Sequence, residues 1–356
     1  MQINKNKLLE AITHAMPAVS KEAKNTKSDV LLFKDGNIYA WSSTVAVSVP
    51  FDIGGIFMAV KGCDFFALIS KMKSETVELT AVGSEIEVKG GRTKARFTPM
   101  DAGDMCNKIS AMRSDQIVWS PIPEKFIDAV AMSSMHGNKQ PTRGCFIQGG
   151  DNAFIVSTDT CRIIKCDIGA KMDTFWMDDD QLYQFLRLAK AKSYAVFGAF
   201  LHIQYEDGSV VSVKRKDAKQ FPISKILPAF EKISSSPVKF RGKLPETLKE
   251  VIERVSSLAS TVSGEKSLAI QMRFTAEGIV IYAKKGTGEA EELIPWAEGT
   301  DVSTVPVGIS VWFDAGFATE ASQKAADFAV VDIGGGSLAF LFERDGYRQV
   351  TSTCDV

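Results

Sequence analysis

GCFIQGGDNAFIVSTDTCRIIKCD, residues 144–167, decides how the rest of the chain is read. Two apolar runs, 144–148 and 153–157, flank Gly150-Asp151, a pairing that supplies the positive φ a tight hairpin needs. A further strand spans 162–167. Working outward, a helix is expected over 123–135 before this unit and another over 179–192 after it. Strands at 193–197, 201–205 and 210–214 follow, with Asp207-Gly208 as a turn.

The same order of events occurs twice more. Upstream, a helical pattern (Leu8, Leu9, Ile12, Met16) leads to a hairpin, 29–33 with 37–41 around Asp35-Gly36, and a strand at 45–49. A helix at 62–73, with Phe65, Phe66, Leu68, Ile69 and Met72 on its apolar face, precedes strands at 76–81, 85–89 and 94–98. Alternation in Glu85-Ile86-Glu87-Val88 marks a half-buried strand. Downstream, a helix at 245–260 leads to strands 268–274 and 279–283 around Glu277-Gly278, then 290–294. A helix at 313–326 and strands 328–332, 337–343 and 347–352 complete the third copy. The opening helices begin near residues 5, 124 and 246, a period of about 120. Stretches 101–120 and 216–242, the latter with Ser234-Ser235-Ser236-Pro237, read as linkers. The expectation is three α+β domains over 1–115, 116–225 and 226–356, each with two helices packed on antiparallel strands.

Composition narrows function. The chain has 356 residues, 45% hydrophobic and 24% charged, with 42 Lys+Arg against 43 Asp+Glu, as in ordinary globular proteins. A near-neutral total leaves room for a basic face balanced by acidic ones. Apolar stretches such as 53–60 and 195–203 are far short of the roughly 18–20 residues that cross a bilayer. Met1 to Glu10 lacks an apolar signal core, so a cytoplasmic protein without membrane attachment is expected. The six cysteines show no CxxC pair and there are only three histidines, so no metal site is expected.

Several stretches together resemble the bacterial-type DNA sliding clamp, the β subunit of the replicative DNA polymerase. They are LLEAITHAMPAVS (8–20), DVLLFKDGNIYAWSSTVAVSVPF (29–51), MAVKGCDFFALISKMKSETVELT (58–80), GGRTKARFTPMDAGDMC (90–106), VSTDTCRIIKC (156–166), SVVSVKRKDAKQFPISKILP (209–228) and LPETLKEVIERVSSLAS (244–260). The resemblance spans nearly the whole chain and fits a divergent member, such as a bacteriophage one. It implies a DNA clamp fold, a head-to-tail homodimeric ring around double-stranded DNA, and a processivity factor with no catalysis and no cofactor. It also implies a DNA polymerase and a clamp loader as partners.

The resemblance further implies sites. Sequence-independent phosphate contacts would come from basic residues in or just after the helices: Lys21, Lys24, Lys27, Lys71, Lys73, Lys139, Arg143, Arg187, Lys190, Lys192, Lys249, Arg254 and Lys324. Lys and Arg near helix C-termini also complement the helix dipole, so each position has a purely structural reading as well. A pocket for partner peptides would involve Thr158, Arg162, Ile163, Pro222, Ile226 and Val350, and Leu258 would sit at the dimer interface. Ile163, Ile226, Val350 and Leu258 also read as ordinary core. Two departures stand out. Thr160-Cys161 replaces the family's glycine-histidine, and the chain ends Thr353-Cys354-Asp355-Val356 rather than in an apolar Met-Pro-Met tail.

Rival readings rest on less. Asp332-Ile333-Gly334-Gly335-Gly336-Ser337 looks like the phosphate hairpin of actin-like ATPases, but only 20 residues follow Gly336 and no paired loop occurs upstream, so a plain hairpin turn is preferred. No GxxxxGK[ST], HExxH or GxSxG motif is present. Asp178-Asp179-Asp180 suggests a metal site only weakly, because consecutive carboxylates on a helix do not share a face. Acidic residues are also favoured at a helix N-terminus. A structural or interaction protein built from the same repeats, with no role on DNA, is the remaining alternative.

Overall fold

The structure, a computed structural model, describes residues 1–19, 29–103, 105–112, 116–135, 140–187, 190–261, 268–285 and 288–353. The chain forms two compact units, Met1–Glu124 with Gln181–Lys216, and Lys125–Asp180 with Asp217–Val356. The first unit opens with β1 (Gln2–Asn4), α1 (Lys5–Ala15), β2 (Val30–Lys34), β3 (Asn37–Trp41), β4 (Val45–Pro50) and β5 (Met58–Lys61). It continues through α2 (Gly62–Lys71), β6 (Thr76–Val82), β7 (Glu85–Gly90), β8 (Thr93–Phe97), α3 (Met105–Met112) and β9 (Ser120–Pro121). The second unit begins with α4 (Phe126–Ser133), β10 (Cys145–Gln148), β11 (Phe154–Thr158), β12 (Arg162–Asp167) and β13 (Phe175–Met177), after which comes α5 (Asp179–Arg187). Strands β14 (Ala191–Phe197), β15 (Phe200–Tyr205) and β16 (Val210–Lys214) belong to the first unit. The second unit then takes α6 (Ile223–Ser234), β17 (Val238–Lys243), α7 (Leu248–Val255), β18 (Ser260–Thr261), β19 (Leu268–Phe274) and β20 (Gly278–Lys285). It ends with β21 (Gly288–Pro295), β22 (Ser310–Asp314), α8 (Ala315–Lys324), β23 (Asp327–Gly334), β24 (Ser337–Arg344) and β25 (Tyr347–Ser352).

In the first unit an eight-stranded antiparallel sheet runs β5-β2-β3-β4-β16-β15-β14-β9, beside a four-stranded sheet β1-β6-β7-β8. Helix α1 buries Leu8, Ala11, Ile12 and Ala15, the i, i+3, i+4, i+7 stripe that packs one helix face, and Asn4 caps it by accepting from the Lys7 amide at 3.1 Å. The seam between β4 and β16 is small and mostly apolar, with Val45 opposite Val213 and Val47 opposite Val211. On the four-stranded sheet the buried carboxylate of Glu87 meets Lys89 at 2.6 Å, Lys94 at 2.8 Å and Arg96 at 3.3 Å. Those bonds, Lys89 first, outweigh burial and hold its pKa at about 2.

In the second unit an eight-stranded sheet runs β13-β10-β11-β12-β25-β24-β23-β17, and a five-stranded one places β18-β19-β20-β21 in order with β22 on β19. Gly144 opens β10 with φ +110°, where a Cβ would lie 2.1 Å from the Met177 carbonyl oxygen, so no other residue fits. Helix α7 buries Leu248, Val251, Ile252 and Val255. Helix α8, capped by Asp314 on the Phe317 amide at 2.9 Å, buries Ala315, Ala318 and Ala321.

The structure corrects the sequence reading in several places. Stretch 101–120 is not a plain linker: α3 sets Met105 and Ile109 against Val30, Leu32, Ala46 and Ala59. Stretch 216–242 holds α6 and β17, with Phe230 of α6 buried against Ala329, Val331, Leu341 and Val350. Helix 313–326 begins only at Ala315, because Phe313 pairs with Ile270 as part of β22. The 245–260 helix ends at Val255 and passes into a single 3-10 turn, Ser256–Leu258. The α4 helix starts at Phe126 rather than 123, and α2 stops at Lys71.

Candidate functional site

The turn Asp159-Thr160-Cys161 joins β11 to β12 and is held by the first residue's side chain. Asp159 Oδ1 accepts from the amides of Cys161 (3.2 Å) and Arg162 (2.8 Å), an Asx-type closure. Thr160 takes φ +77°, the left-handed conformation that a β-branched residue rarely adopts.

Strand pairing sorts the predicted pocket residues by face, since residues directly opposite share one side of a sheet. Thr158 stands opposite Ile163, and Ile163 opposite Val350. Ile163 is half-buried and touches two apolar clusters. One holds Phe146, Val156, Trp176 and Phe221 with Ile223 and Ile226; the other holds Phe230, Ala329, Leu341 and Val350. Phe221 stacks on Phe146 at 4.5 Å between ring centroids, which anchors the segment bearing Pro222 just ahead of α6. Thr158, Ile163, Pro222, Ile226 and Val350 thus gather around one side of the β11-β12-β25 seam. Val350 and Thr158 are buried, while Pro222, Ile163 and Ile226 keep partial exposure.

Arg162 goes the other way. Its neighbour across the seam is Thr351, one step along from the Ile163–Val350 pair, so its side chain lies on the opposite face, only 2% exposed. There Nε and Nη2 bind Asp159 Oδ2 at 2.8 and 2.7 Å, Nη1 binds Glu320 Oε2 at 2.6 Å, and the guanidinium lies 3.9 Å from the Phe317 ring centre. Glu320 also takes Lys324 Nζ at 2.5 Å, and Lys324 donates to the Ser134 carbonyl at 2.6 Å. Burial pulls against every charge here. For Arg162 it is outweighed by Glu320 and Asp159, so the pKa rises; for Glu320 it is outweighed by Lys324 and Arg162, so the pKa falls. Asp159, Phe317 and Glu320 were not singled out from the sequence. Asp159 was available as a turn-closing residue, whereas Glu320 is 158 residues from Arg162.

The basic residues divide by unit. Lys71, Lys73, Arg187, Lys190 and Lys192 of the first unit are exposed near the ends of α2 and α5, with Lys190 3.8 Å from Glu206 and Arg187 donating to the Tyr183 hydroxyl at 3.3 Å. In the second unit Arg143, Lys249, Arg254 and Lys324 are all engaged. Arg254 forks onto Glu292 at 2.6 and 3.1 Å, Lys249 lies 3.8 Å from Glu253, and Lys324 has the partners above. Lys21, Lys24, Lys27 and Lys139 lie outside the described residues.

The three consecutive aspartates, expected to point apart, come together. Asp178 precedes α5, so the three aspartates escape helical spacing and their carboxylate atoms come within 4.8 Å of one another. The Arg143 guanidinium occupies the cluster, 3.3 Å from Asp178 and 2.5 Å from Asp180. Asp179 instead binds the Ser134 hydroxyl and the Met135 amide, at 3.0 and 3.1 Å, closing the end of α4. The Asp332–Ser337 stretch forms the hairpin between β23 and β24, with Gly334, Gly335 and Gly336 all at positive φ.

Two sheet edges, one in each unit, carry side chains of opposite charge. Strand β8 ends the four-stranded sheet and carries Lys94 and Arg96, with Arg92 just before it; β21 ends the five-stranded sheet and carries Glu289, Glu291 and Glu292. Leu258 is half-buried beside Gly288 at the start of β21, and Leu293 of that strand is exposed. No helix among the described residues is long and apolar enough to cross a membrane.

The fold has known counterparts. The β subunit of DNA polymerase from Streptococcus pyogenes superposes with a TM-score of 0.80 at 9% identity, covering 100% of this chain and 99% of that one. The Helicobacter pylori β clamp bound to a DNA ligase peptide gives 0.77 at 15% identity over 100% of both chains. The Pseudomonas aeruginosa DNA polymerase sliding clamp gives 0.78 at 12% identity, over 100% and 99%. The chain therefore has the sliding-clamp fold from end to end. No family model and no curated protein matches the sequence.

Proposed function

We propose that this chain is a DNA sliding clamp, a processivity factor that encircles duplex DNA and tethers a replicative polymerase without catalysing a reaction. The observation that carries the proposal is full-length agreement with the clamp fold in spite of identities of 9–15%. A topological link needs no tight or base-specific contact, which suits a chain lacking any base-reading motif. Under this reading the chain works in the cytoplasm, and three domains of about 120 residues, following the repeat in the sequence, make up each copy.

Two copies would join β8 of one to β21 of the other. Open edges present unpaired amides and carbonyls, so pairing satisfies their hydrogen bonds, and it brings the basic side chains of β8 near the acidic ones of β21. Leu258 and Leu293 supply apolar area at that joint. DNA contacts are assigned first to Lys71, Lys73, Arg187, Lys190 and Lys192, whose charges face solvent. The side of the β11-β12-β25 seam around Ile163 would take a short apolar peptide from a polymerase or clamp loader, as the H. pylori clamp takes a DNA ligase peptide.

The test is retention on DNA. Protein loaded onto nicked circular DNA should stay bound in salt and be lost when the circle is linearised; equal loss from both forms refutes the proposal. Native mass should be twice that of one chain, and Lys71→Glu with Arg187→Glu should reduce loading without changing that mass. A fluorescein-labelled copy of the DNA ligase peptide should bind the wild-type protein and be displaced by the unlabelled form.

A further inference from the structure

We infer that Glu320 and Lys324 of α8 are positioning residues for the peptide cleft, acting through Arg162 from the opposite face of the sheet; this rests on the cleft reading above. The cleft side of the seam is apolar around Ile163, and the turn Asp159-Thr160-Cys161 lies at its end, between Thr158 of β11 and the start of β12. That turn is closed by Asp159 Oδ1 on the Cys161 and Arg162 amides, while Asp159 Oδ2 is held by the Arg162 guanidinium. Asp159 therefore faces two ways, with one oxygen on the turn and the other on the buried cation. Arg162 in turn has a single other ionic partner among the described residues, Glu320 at 2.6 Å. Glu320 is fixed by Lys324, whose ammonium is pinned to the Ser134 carbonyl. The four charges sum to zero, and each inner one lies between two opposite ones.

A buried cation deprived of one carboxylate must find compensation nearby, and Asp159 is the group within reach. Loss of the Glu320 charge leaves Asp159 as the sole anionic partner of a guanidinium it already holds at 2.7 and 2.8 Å, so Arg162 shifts away from α8 toward Asp159's side of the site, and the turn that Asp159 closes moves with it. The consequence appears on the other side of the sheet, at the mouth of the cleft, though neither Glu320 nor Lys324 lines it. Phe317, stacked against the guanidinium, limits how far Arg162 swings.

The test compares wild type, Glu320→Gln, Lys324→Met and the double variant in the full chain, by amide hydrogen exchange and by binding of the labelled DNA ligase peptide. Glu320→Gln should speed exchange at the Cys161 and Arg162 amides by roughly tenfold, leave β20 and β21 unchanged, and weaken the peptide by a similar factor. Lys324→Met should act in the same direction and more weakly, and serves alone if Glu320→Gln does not fold. The double variant, which restores neutrality, should recover part of the peptide affinity. Unchanged exchange at the turn with unchanged affinity overturns the inference, as does faster exchange throughout the unit, which marks general destabilisation. If wild type does not bind the peptide while the turn responds to Glu320→Gln, the cleft reading fails and the positioning of the turn stands.

Discussion

The turn between β3 and β4 and the turn between β11 and β12 hold the same place in their two eight-stranded sheets, yet they are closed by different chemistry. In the first, the Ser42 hydroxyl accepts from the amides of Thr44 (3.4 Å) and Val45 (3.1 Å), and the Ser42 amide donates to Val45 at 2.7 Å. In the second, a carboxylate makes the corresponding bonds, and the residue where Val45 stands is Arg162. Ser43 is not at positive φ, whereas Thr160 is. The comparison separates what the fold needs from what it does not. A side-chain oxygen at the first turn position suffices to close the hairpin. The buried charges and the left-handed threonine are extra, and both oppose stability unless compensated, which is why they point to a site.

The largest effect should come from importing the first turn's residue into the second. Arg162→Val leaves Asp159 and Glu320 facing each other's surroundings without their cation, and should cost roughly 3–5 kcal/mol in urea denaturation. Combining it with Asp159→Ser, Glu320→Gln and Lys324→Met, which imports the uncharged solution whole, should recover most of that loss. A single-variant cost below about 1 kcal/mol would mean the charges are not coupled as described.

Acidity should separate the two turns next. Glu320 has its pKa lowered from an ordinary 4.5, so its contribution is complete above that value and disappears as pH falls through the lower, folded-state value. The stability gap between wild type and Glu320→Gln should therefore close on acidification from pH 7 towards pH 3. A Ser42→Ala variant, costing about 0.5–1.5 kcal/mol, should show a gap that does not change over the same range. Parallel pH dependence in both would erase the distinction.

The smallest effects have opposite signs. Thr160→Gly removes left-handed strain and should raise stability by up to about 1 kcal/mol, since that strain exceeds the glycine's entropic cost. Ser43→Gly relieves nothing and should lower stability by roughly 0.5–1 kcal/mol. Calorimetry on both variants gives the sign directly.

Repeating hairpins, turn glycines and apolar helix stripes made the order of most helices and strands readable in the sequence, because each is set by local periodicity. What escaped was decided at long range. Helix α6 contains Pro228 and runs into the serines before Pro237, a composition typical of a linker, and it becomes a helix because Phe230 finds a core between β23, β24 and β25. Helix α3 is short and earns its place through Met105 and Ile109. Arg162 was placed in the pocket beside Ile163, although period-2 alternation along β12 puts the two on opposite faces, and nothing local named Glu320 as its partner. The gathering of Asp178, Asp179 and Asp180 was misjudged because helical spacing does not reach a residue that precedes the helix.

The two charged edges have a consequence for growth. A basic edge repels another basic edge and an acidic edge repels its like, so copies that join through β8 and β21, as proposed above, would join with a direction, each pointing to the next. Directional joining ends in one of two ways, a closed circle of fixed number or a filament without end. The angle at the joint decides between them, and that angle depends on strand register. A slip of a residue between the edges would turn side chains to the wrong face and change the turn per copy. The same contacts that shut a ring would then propagate a fibre.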